Sequence, residues 1–395
     1  MTQQPVLDSP LSDLRVLDLS RVLAGPFVGR MLADLGADVV KVEPPEGDVT
    51  RIWGKRIAGL SGYFTQQNVG KRDICVDMRV AGGPELLAEL AARADVVVEN
   101  FRPGVMKQYG LDWNTLSARN PRLCMLSISG FGQTGPESRR PAYAAVVHAE
   151  SGLVHRQAAL DGTRPADLRF SIADANAGLH GLVGLLSALM MRTRTGKGQH
   201  VDISMLQAML TTDDYVHLSL DGVTVGEGVV GVDIWDIAGL PIVIAGDLRF
   251  IWQRLVATQN LKDPAPEGSE IPVKARLRRE AVQAFFATIA DRETMVRVLD
   301  GANLAYGEVK DTPTALSSPT LQERGAVAEV SDRATGVRRV IQSPYRFSDA
   351  QSGARAGAPY RGEHNRDVLR DWLALGDAEV DGLVAKQVLL AEPRR

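Results

Sequence analysis

Asp174 is the carboxylate whose setting most invites chemistry. It stands at the head of the apolar run S-I-A-D-A-N-A-G-L-H-G-L-V-G-L-L-S-A-L-M-M-R (residues 171–192), where a helix's free N–H groups and its dipole favour a negative charge. Two readings fit that position: an N-cap aspartate that only closes the helix, or an ionised carboxylate held for use. Gly178, Gly181 and Gly184 follow at every third residue, and each costs a helix interior about 1 kcal/mol relative to alanine. Such a row calls for close approach by another helix, a second subunit or a flat ligand. Glu43, after D-V-V-K-V, sits where a dinucleotide-binding fold keeps its ribose-binding acid. The preceding S-R-V-L-A-G-P-F-V-G, however, has only Gly25 and Gly29, with Pro26 where a donor amide is useful. A Rossmann-type oxidoreductase is therefore a remote alternative. There is no Walker A lysine motif and no G-x-S-x-G elbow. The six histidines (148, 155, 180, 200, 217, 364) are scattered, so no metal site is expected. Cys75 and Cys124 lie in apolar runs and read as reduced core residues.

The elements that must position these residues alternate in type. Residues 15–19, 38–42, 95–98 and 123–127 read as strands, and residues 26–35 and 84–93 as helices. That alternation implies βαβ units and a parallel sheet, with chemistry beyond the carboxyl ends of the strands. A long helix over 174–192 ends at T-G-K-G and leads into a strand over 200–205. From about 220 to 322 the chain turns Gly-rich, then Pro/Glu-rich, then charged and helical, which reads as a separate smaller lobe. A strand pair follows residue 327, and a last helix covers 365–375. The 395 residues exceed the ~250–300 at which one core stops growing, which agrees with two lobes. Forty-five basic against 48 acidic residues, a net charge of −3, argue against a nucleic-acid partner. The first ten residues lack the pattern of a signal peptide. The apolar stretch 179–191, interrupted by His180, glycines and Ser187, is too short to span a bilayer. The expectation is a soluble, cytoplasmic protein with no membrane partner.

Several separate motifs, in order, resemble the family III CoA-transferases, the family of formyl-CoA transferase, carnitine CoA-transferase and the bile-acid-inducible transferases. They are R-V-L-A-G-P (21–26), G-A-D-V-V-K-V-E-P-P (36–45), N-V-G-K-R (68–72), D-V-V-V-E-N-F-R-P-G (95–104) and R-T-R-T-G-K-G-Q (192–199), with Q-S-P-Y-R-F-S (342–348) and Y-R-G-E-H-N-R-D-V-L (360–369) later. The likeness covers about residues 11–210 and those two later segments, and is poor in the middle lobe. It implies an α/β fold: a Rossmann-like parallel-sheet large domain (1–215 and 325–395), a smaller α+β domain (216–324), and a ring-like interlocked homodimer. It also implies that Asp174, followed by Gly178, is the catalytic aspartate. In such enzymes the carboxylate attacks an acyl-CoA thioester, and CoA passes through an aspartyl anhydride and an aspartyl-CoA thioester to a small carboxylic acid. CoA and acyl-CoA are then substrates, with no permanently bound cofactor and no metal.

By the same resemblance the CoA contacts are Leu23 and Ala24, then Val76, Asp77, Met78 and Arg79, then Asn100, Phe101 and Arg102. Val76 and Phe101 also read as core. Lys107 stands beside Gln108, where the family commonly has arginine, and Pro44 replaces a phosphate-binding arginine for which Arg51 or Arg56 could substitute. A glycine loop of the family corresponds to Gly226 and Gly228, or these form an ordinary turn. The same fold hosts α-methylacyl-CoA racemases, which pair the aspartate with a histidine. Here Tyr143 holds that histidine's place and Ala144 that of the following aspartate, which favours the transferase and leaves the racemase as the alternative. His148 reads as a polar core or acceptor-site residue. Arg249, Arg254, Lys274 and Arg276 could pair with the second carboxylate of a diacid, or are solvated helix charges.

Overall fold

The structure, a computed structural model, describes residues 8–223 and 233–390. The chain divides into two compact units: one runs to Asp214 and resumes at Leu321, and the other is Tyr215–Thr320.

The first unit begins as β1 (Arg15–Asp18), α1 (Ala24–Asp34) and β2 (Asp38–Glu43), followed by β3 (Arg72–Cys75), α2 (Gly83–Arg93), β4 (Val96–Glu99) and β5 (Cys124–Ser129). After α3 (Ala144–Glu150) come the 24-residue α4 (Ile172–Thr195), β6 (His200–Ser204) and α5 (Met205–Thr212). The six strands form one sheet in the order β3-β2-β1-β4-β5-β6. All its pairings are parallel, with Leu17 opposite Val40 on one side and Val97 on the other. This is a doubly wound order whose direction reverses between β1 and β4.

Alternate residues explain the two layers. Val16, Val39, Val98, Leu126 and Ile128 face α1, α4 and α5, while Leu17, Val40, Ile74, Val97 and Met125 face α2 and the late helix Asn365–Leu373. Strands covered on both faces read as continuous apolar runs, which is why β1, β4 and β5 are legible in the sequence. The strand β3 is not among those expected. Its open edge is completed by residues about 290 to 315 positions later. The Cys75 N–H donates to the Asn365 side chain (3.0 Å), the Asp73 N–H donates to the His364 Nδ1 (3.1 Å), and the Leu390 N–H donates to the Cys75 carbonyl (3.0 Å). A helix over Asp377–Ala385, also unanticipated, carries the chain to that edge.

The long helix starts two residues earlier than its spacing suggested. Ser171 is its N-cap, and Asp174 is the third helical residue. The N-cap reading of Asp174 is therefore corrected. The glycine row is explained by packing. A Cβ on Gly178 would lie 3.0 Å from the Ala24 carbonyl and 2.9 Å from Phe27, one on Gly181 would meet Leu126, and one on Gly184 would meet Val201. Of the three partners considered, a neighbouring helix and the sheet fill the space. At mean hydropathy 1.3, α4 is long and apolar enough by length and composition to cross a membrane, although the stretch 179–191 alone is not.

The second unit is a three-stranded antiparallel sheet, Ile234–Ile237, Leu240–Ile244 and Tyr306–Glu308, with Leu240–Ile244 in the middle. Helices Leu248–Gln259, Ile271–Phe286 and Arg292–Gly301 pack on it through Ile251, Leu255, Phe286 and Leu299 around Trp235.

Candidate active site

A cleft of about 340 Å³ opens beyond the carboxyl ends of β1, β4 and β5, at the point where the strand order reverses. Arg21, Val22 and Ala24 line it from the β1–α1 turn, Asn100, Phe101 and Arg102 from the turn after β4, and Asp174 from α4. A second hollow of about 210 Å³ lies over the ends of β2 and β3, with Pro44, Val76 and Met78 in its wall. Arg21, Phe101 and Val105 belong to both, so the two hollows form one trough across the sheet end.

Burial pushes the Asp174 carboxyl up to about 6. The nearby backbone N–H groups of Ala24 and Ala144 pull in the other direction, as does the His148 imidazole when protonated. Ala24 and Ala144 are the first residues of α1 and α3. Two helix N-termini therefore converge on a carboxylate that is itself in the first turn of α4, and all three contribute the partial positive charge of their free amides. The result is a desolvated carboxylate beside free amide dipoles, with no ion pair to it among the described residues.

Beneath the trough lies a set of buried charges that the spacing of the sequence does not reveal. Lys71 Nζ donates to Asp18 (2.8 Å), the Pro26 carbonyl (2.9 Å) and Asn68 (2.9 Å). Lys41 Nζ donates to the Ser20 carbonyl (2.9 Å) and to Asp48 (3.2 Å). Arg51 pairs with Glu43, lies over the Phe64 ring at 3.8 Å and is 3.6 Å from Asp73. Burial alone would raise Glu43, but the neighbouring Asp73 carboxyl and the Arg51 guanidinium hold it down at about 2. Burial and the Glu43 charge push Asp73 up. Glu43 also accepts the Asp48 N–H (2.6 Å), so it is a structural anchor and no ribose ligand. Arg51 is likewise committed and does not replace the arginine missing at Pro44, while Arg56 is exposed on the short strand Arg56–Ile57. Glu99, pushed up to about 7 by burial, accepts the Phe101 N–H (2.8 Å) and fixes the turn that carries Asn100 and Arg102.

With that geometry in place, the chain can be set beside known proteins. Residues 11–365 match the model of CoA-transferase family III. The succinyl-CoA–D-citramalate CoA-transferase of Chloroflexus aurantiacus is 31% identical over 96% of this chain and 98% of its own. The succinate–glutarate CoA-transferase of Agrobacterium fabrum is 30% identical over 94% and 98%. A crystal structure of a CaiB/BaiF family protein from Brucella suis superposes with a TM-score of 0.76 at 31% identity, covering 92% of this chain and all of that one. The chain belongs to CoA-transferase family III.

In this family III chain most of the residues carried over by motif come together. Ala24, Asn100, Phe101, Arg102 and Tyr143 line the first hollow with Asp174, and Val76, Asp77, Met78 and Arg79 line the second. Leu23 is the N-cap of α1 and falls outside both linings, as does Lys107, exposed on the short helix Val105–Gln108. The Arg79 guanidinium pairs with Asp77 (2.8 Å) and Glu46 (3.1 Å) at the surface, which partly offsets its charge. His148 is 1% exposed and is placed outside the cleft. Its Nε2 accepts the Ala173 N–H (3.2 Å) and its Nδ1 bonds Asp167 (3.0 Å). It clamps the start of α4, a polar-core role. Gly226 and Gly228 lie outside the described residues. Arg254 donates to the Ala302 carbonyl (2.7 Å) and Arg276 pairs with Glu280 (2.8 Å), which ties both to their own unit.

Proposed function

We propose that this enzyme moves CoA from an acyl-CoA, of which succinyl-CoA is the first candidate, to a second small carboxylic acid through covalent intermediates on Asp174. Both relatives named above act on dicarboxylates. The observation that carries the reading is the Asp174 carboxylate, raised to about 6 by burial and lining the cleft beside Ala24, Asn100 and Arg102.

A carboxylate oxygen of Asp174 adds to the thioester carbon, and the C–S bond breaks to give a mixed anhydride and CoA thiolate. The thiolate then adds to the Asp174 carbonyl carbon, and the donor acid leaves as a carboxylate, giving aspartyl-CoA. The acceptor carboxylate attacks that thioester and releases the thiolate. The thiolate adds to the acceptor's acyl carbon and returns Asp174 to its ionised form. Each addition at the aspartyl carbon places negative charge on an oxygen near the free amides of Ala24 and Ala144, the candidate donors for it. CoA lies along the trough, with its nucleotide end toward Val76, Asp77, Met78 and Arg79 and its thiol toward Asp174. Tyr143 and Ala144, in place of a histidine and an aspartate, supply no second base for racemisation.

The homodimer belongs to the same proposal. Leu179 (44%), Val183 (65%) and Met190 (72%) form an exposed apolar stripe on α4, on the side away from its glycines. A contiguous apolar helix face of this kind is suited to a second copy.

The test is to incubate the protein with succinyl-CoA, trap with hydroxylamine or borohydride, and map the product by mass spectrometry. A donor-dependent adduct on Asp174 supports the route. Turnover without any Asp174 adduct, or α-deuterium exchange with no acceptor required, overturns it.

A further inference from the structure

Two arginines line the hollow over the ends of β2 and β3, and only one of them is paired. The ionisable side chains of its wall are Arg21, Glu46, Asp77, Arg79 and Tyr109. Arg79 pairs with Asp77 (2.8 Å) and Glu46 (3.1 Å) at the outer rim, where its side chain is 57% exposed. That trio sets one positive charge against two negative ones, and Pro44 and Val76 in the same wall bring none. Arg21 stands where this hollow meets the cleft of Asp174, and it lines both. Among the described residues its guanidinium has no ion pair and no hydrogen bond, and its Nε is sealed from solvent without a partner. Donors left unmatched in a partly closed trough carry a cost that an incoming oxyanion removes. The position is also rigid. The Arg21 N–H donates to Asn100 Oδ1 (2.7 Å), and the Arg21 carbonyl accepts from Asn100 Nδ2 (2.8 Å). Glu99 braces the turn that carries Asn100 by accepting the Phe101 N–H (2.8 Å). The guanidinium thus stands on a fixed backbone, and little loop ordering is left for a ligand to impose.

We infer that Arg21 is the cation that takes the diphosphate of CoA at the waist of the trough. The inference rests on the reading, given above, that CoA lies along the trough. In CoA the diphosphate separates the adenosine from the pantetheine arm. With the nucleotide end in the hollow of Val76 and Met78 and the thiol at Asp174, the diphosphate falls between the two hollows. Arg21 is the charged residue common to both. Its planar fork presents paired N–H donors that match two phosphate oxygens. The other arginines of the cleft are placed differently. Arg140 is paired with Glu137 and Glu150, and Arg102 lines the cleft of Asp174 but not the second hollow. A guanidinium also suits the free carboxylate of a diacid, so the test separates the two anions.

The experiment measures binding to the whole chain by calorimetry, with CoA, dephospho-CoA, pantetheine and succinate as the probes. Arg21→Ala should weaken CoA and dephospho-CoA, which both keep the diphosphate, by roughly 10- to 100-fold. Its affinity for pantetheine, which lacks the diphosphate, should match that of the wild type, as should its affinity for succinate. Arg21→Lys keeps the charge without the fork and should recover part of the loss. Arg21→Gln keeps the stem and serves if the alanine variant does not fold. Added salt should weaken CoA binding more steeply in the wild type than in Arg21→Ala. Equal losses for CoA and pantetheine overturn the inference, as does an unchanged CoA affinity in a folded Arg21→Ala or Arg21→Gln protein. A loss confined to succinate also overturns it and makes Arg21 a carboxylate site. A wild type that binds neither CoA nor dephospho-CoA overturns it together with the reading of the trough. If CoA binding falls as described but the wild type forms no adduct with any acyl-CoA, the diphosphate site stands and the covalent reading of Asp174 fails.

Discussion

Asp48 and Asp174 both stand beside the same short turn, Asp48 accepting the Val22 N–H and Asp174 lining the cleft with Ala24, yet their surroundings drive them in opposite directions. Asp48 is desolvated but lies against the Lys41 ammonium and two Thr50 donors, and its pKa is lowered. Asp174 is desolvated with amides for partners, and its pKa is raised to about 6. A buried carboxylate neutralised by a full charge is a strut, because its electrons are bound up in the pair. One held by neutral N–H groups keeps its nucleophilicity and is poised near the working pH. The two acids thus divide structure and chemistry between them.

Removing each acid should separate the two roles. Asp174→Asn should reduce CoA transfer on the order of 10⁴-fold, as loss of a covalent nucleophile does. The same change should stabilise the fold by about 1–3 kcal/mol at pH 7 in urea denaturation, because the wild-type carboxylate is ionised there against a raised pKa. The sign is specific: a raised folded pKa costs stability above pH 6, and the cost fades as pH falls toward the ordinary carboxylate value. Asp48→Ala should do the reverse to stability, destabilising by about 3–5 kcal/mol because it takes the contact counter-ion from buried Lys41. Gly178→Ala should cost about 1–3 kcal/mol, since its methyl group would press on the Ala24 carbonyl and Phe27. It should also lower kcat, by pushing the Asp174 end of α4 away from the start of α1. In the wild type, kcat/KM should fall about tenfold per pH unit below about 6, as Asp174 protonates. The smallest effect should come from Arg79→Ala. Its charge is shared between Asp77 and Glu46 at the surface, so KM for the acyl-CoA should rise roughly threefold or less.

The same contrast explains what could be read from the sequence. Strands β1, β2, β4 and β5 were legible because burial on both faces makes them apolar runs, and the alternation with helices implied the parallel sheet. The position of Asp174 followed from motif resemblance, but its place inside the helix did not, because Ser171 takes the cap without a side-chain bond. Asp18, Lys41, Asp48 and Lys71 were illegible as a network. A buried lysine and a surface lysine look alike in a string, and only the fold brings Lys71 to Asp18 across 53 residues. His148 gave no sign that it would clamp the start of α4. The glycine row suggested a ligand as readily as a neighbour, and the distances to Ala24, Leu126 and Val201 decide for the neighbour.

The edge strand β3 has a consequence for how this chain comes off the ribosome. Its outer hydrogen-bond partners, Asn365, His364 and Leu390, are made about 290 to 315 residues after the strand itself. At about 5–20 residues per second, the Arg72–Cys75 segment waits on the order of 15–60 seconds with one backbone edge unmatched. Lys71, Arg72 and Asp73 place charges along that waiting segment, which discourages edge-to-edge pairing with neighbouring nascent chains. The large unit is therefore completed only after residue 390 has been made. A C-terminal truncation that removes Leu390 should be felt at Cys75, at the far end of the sequence.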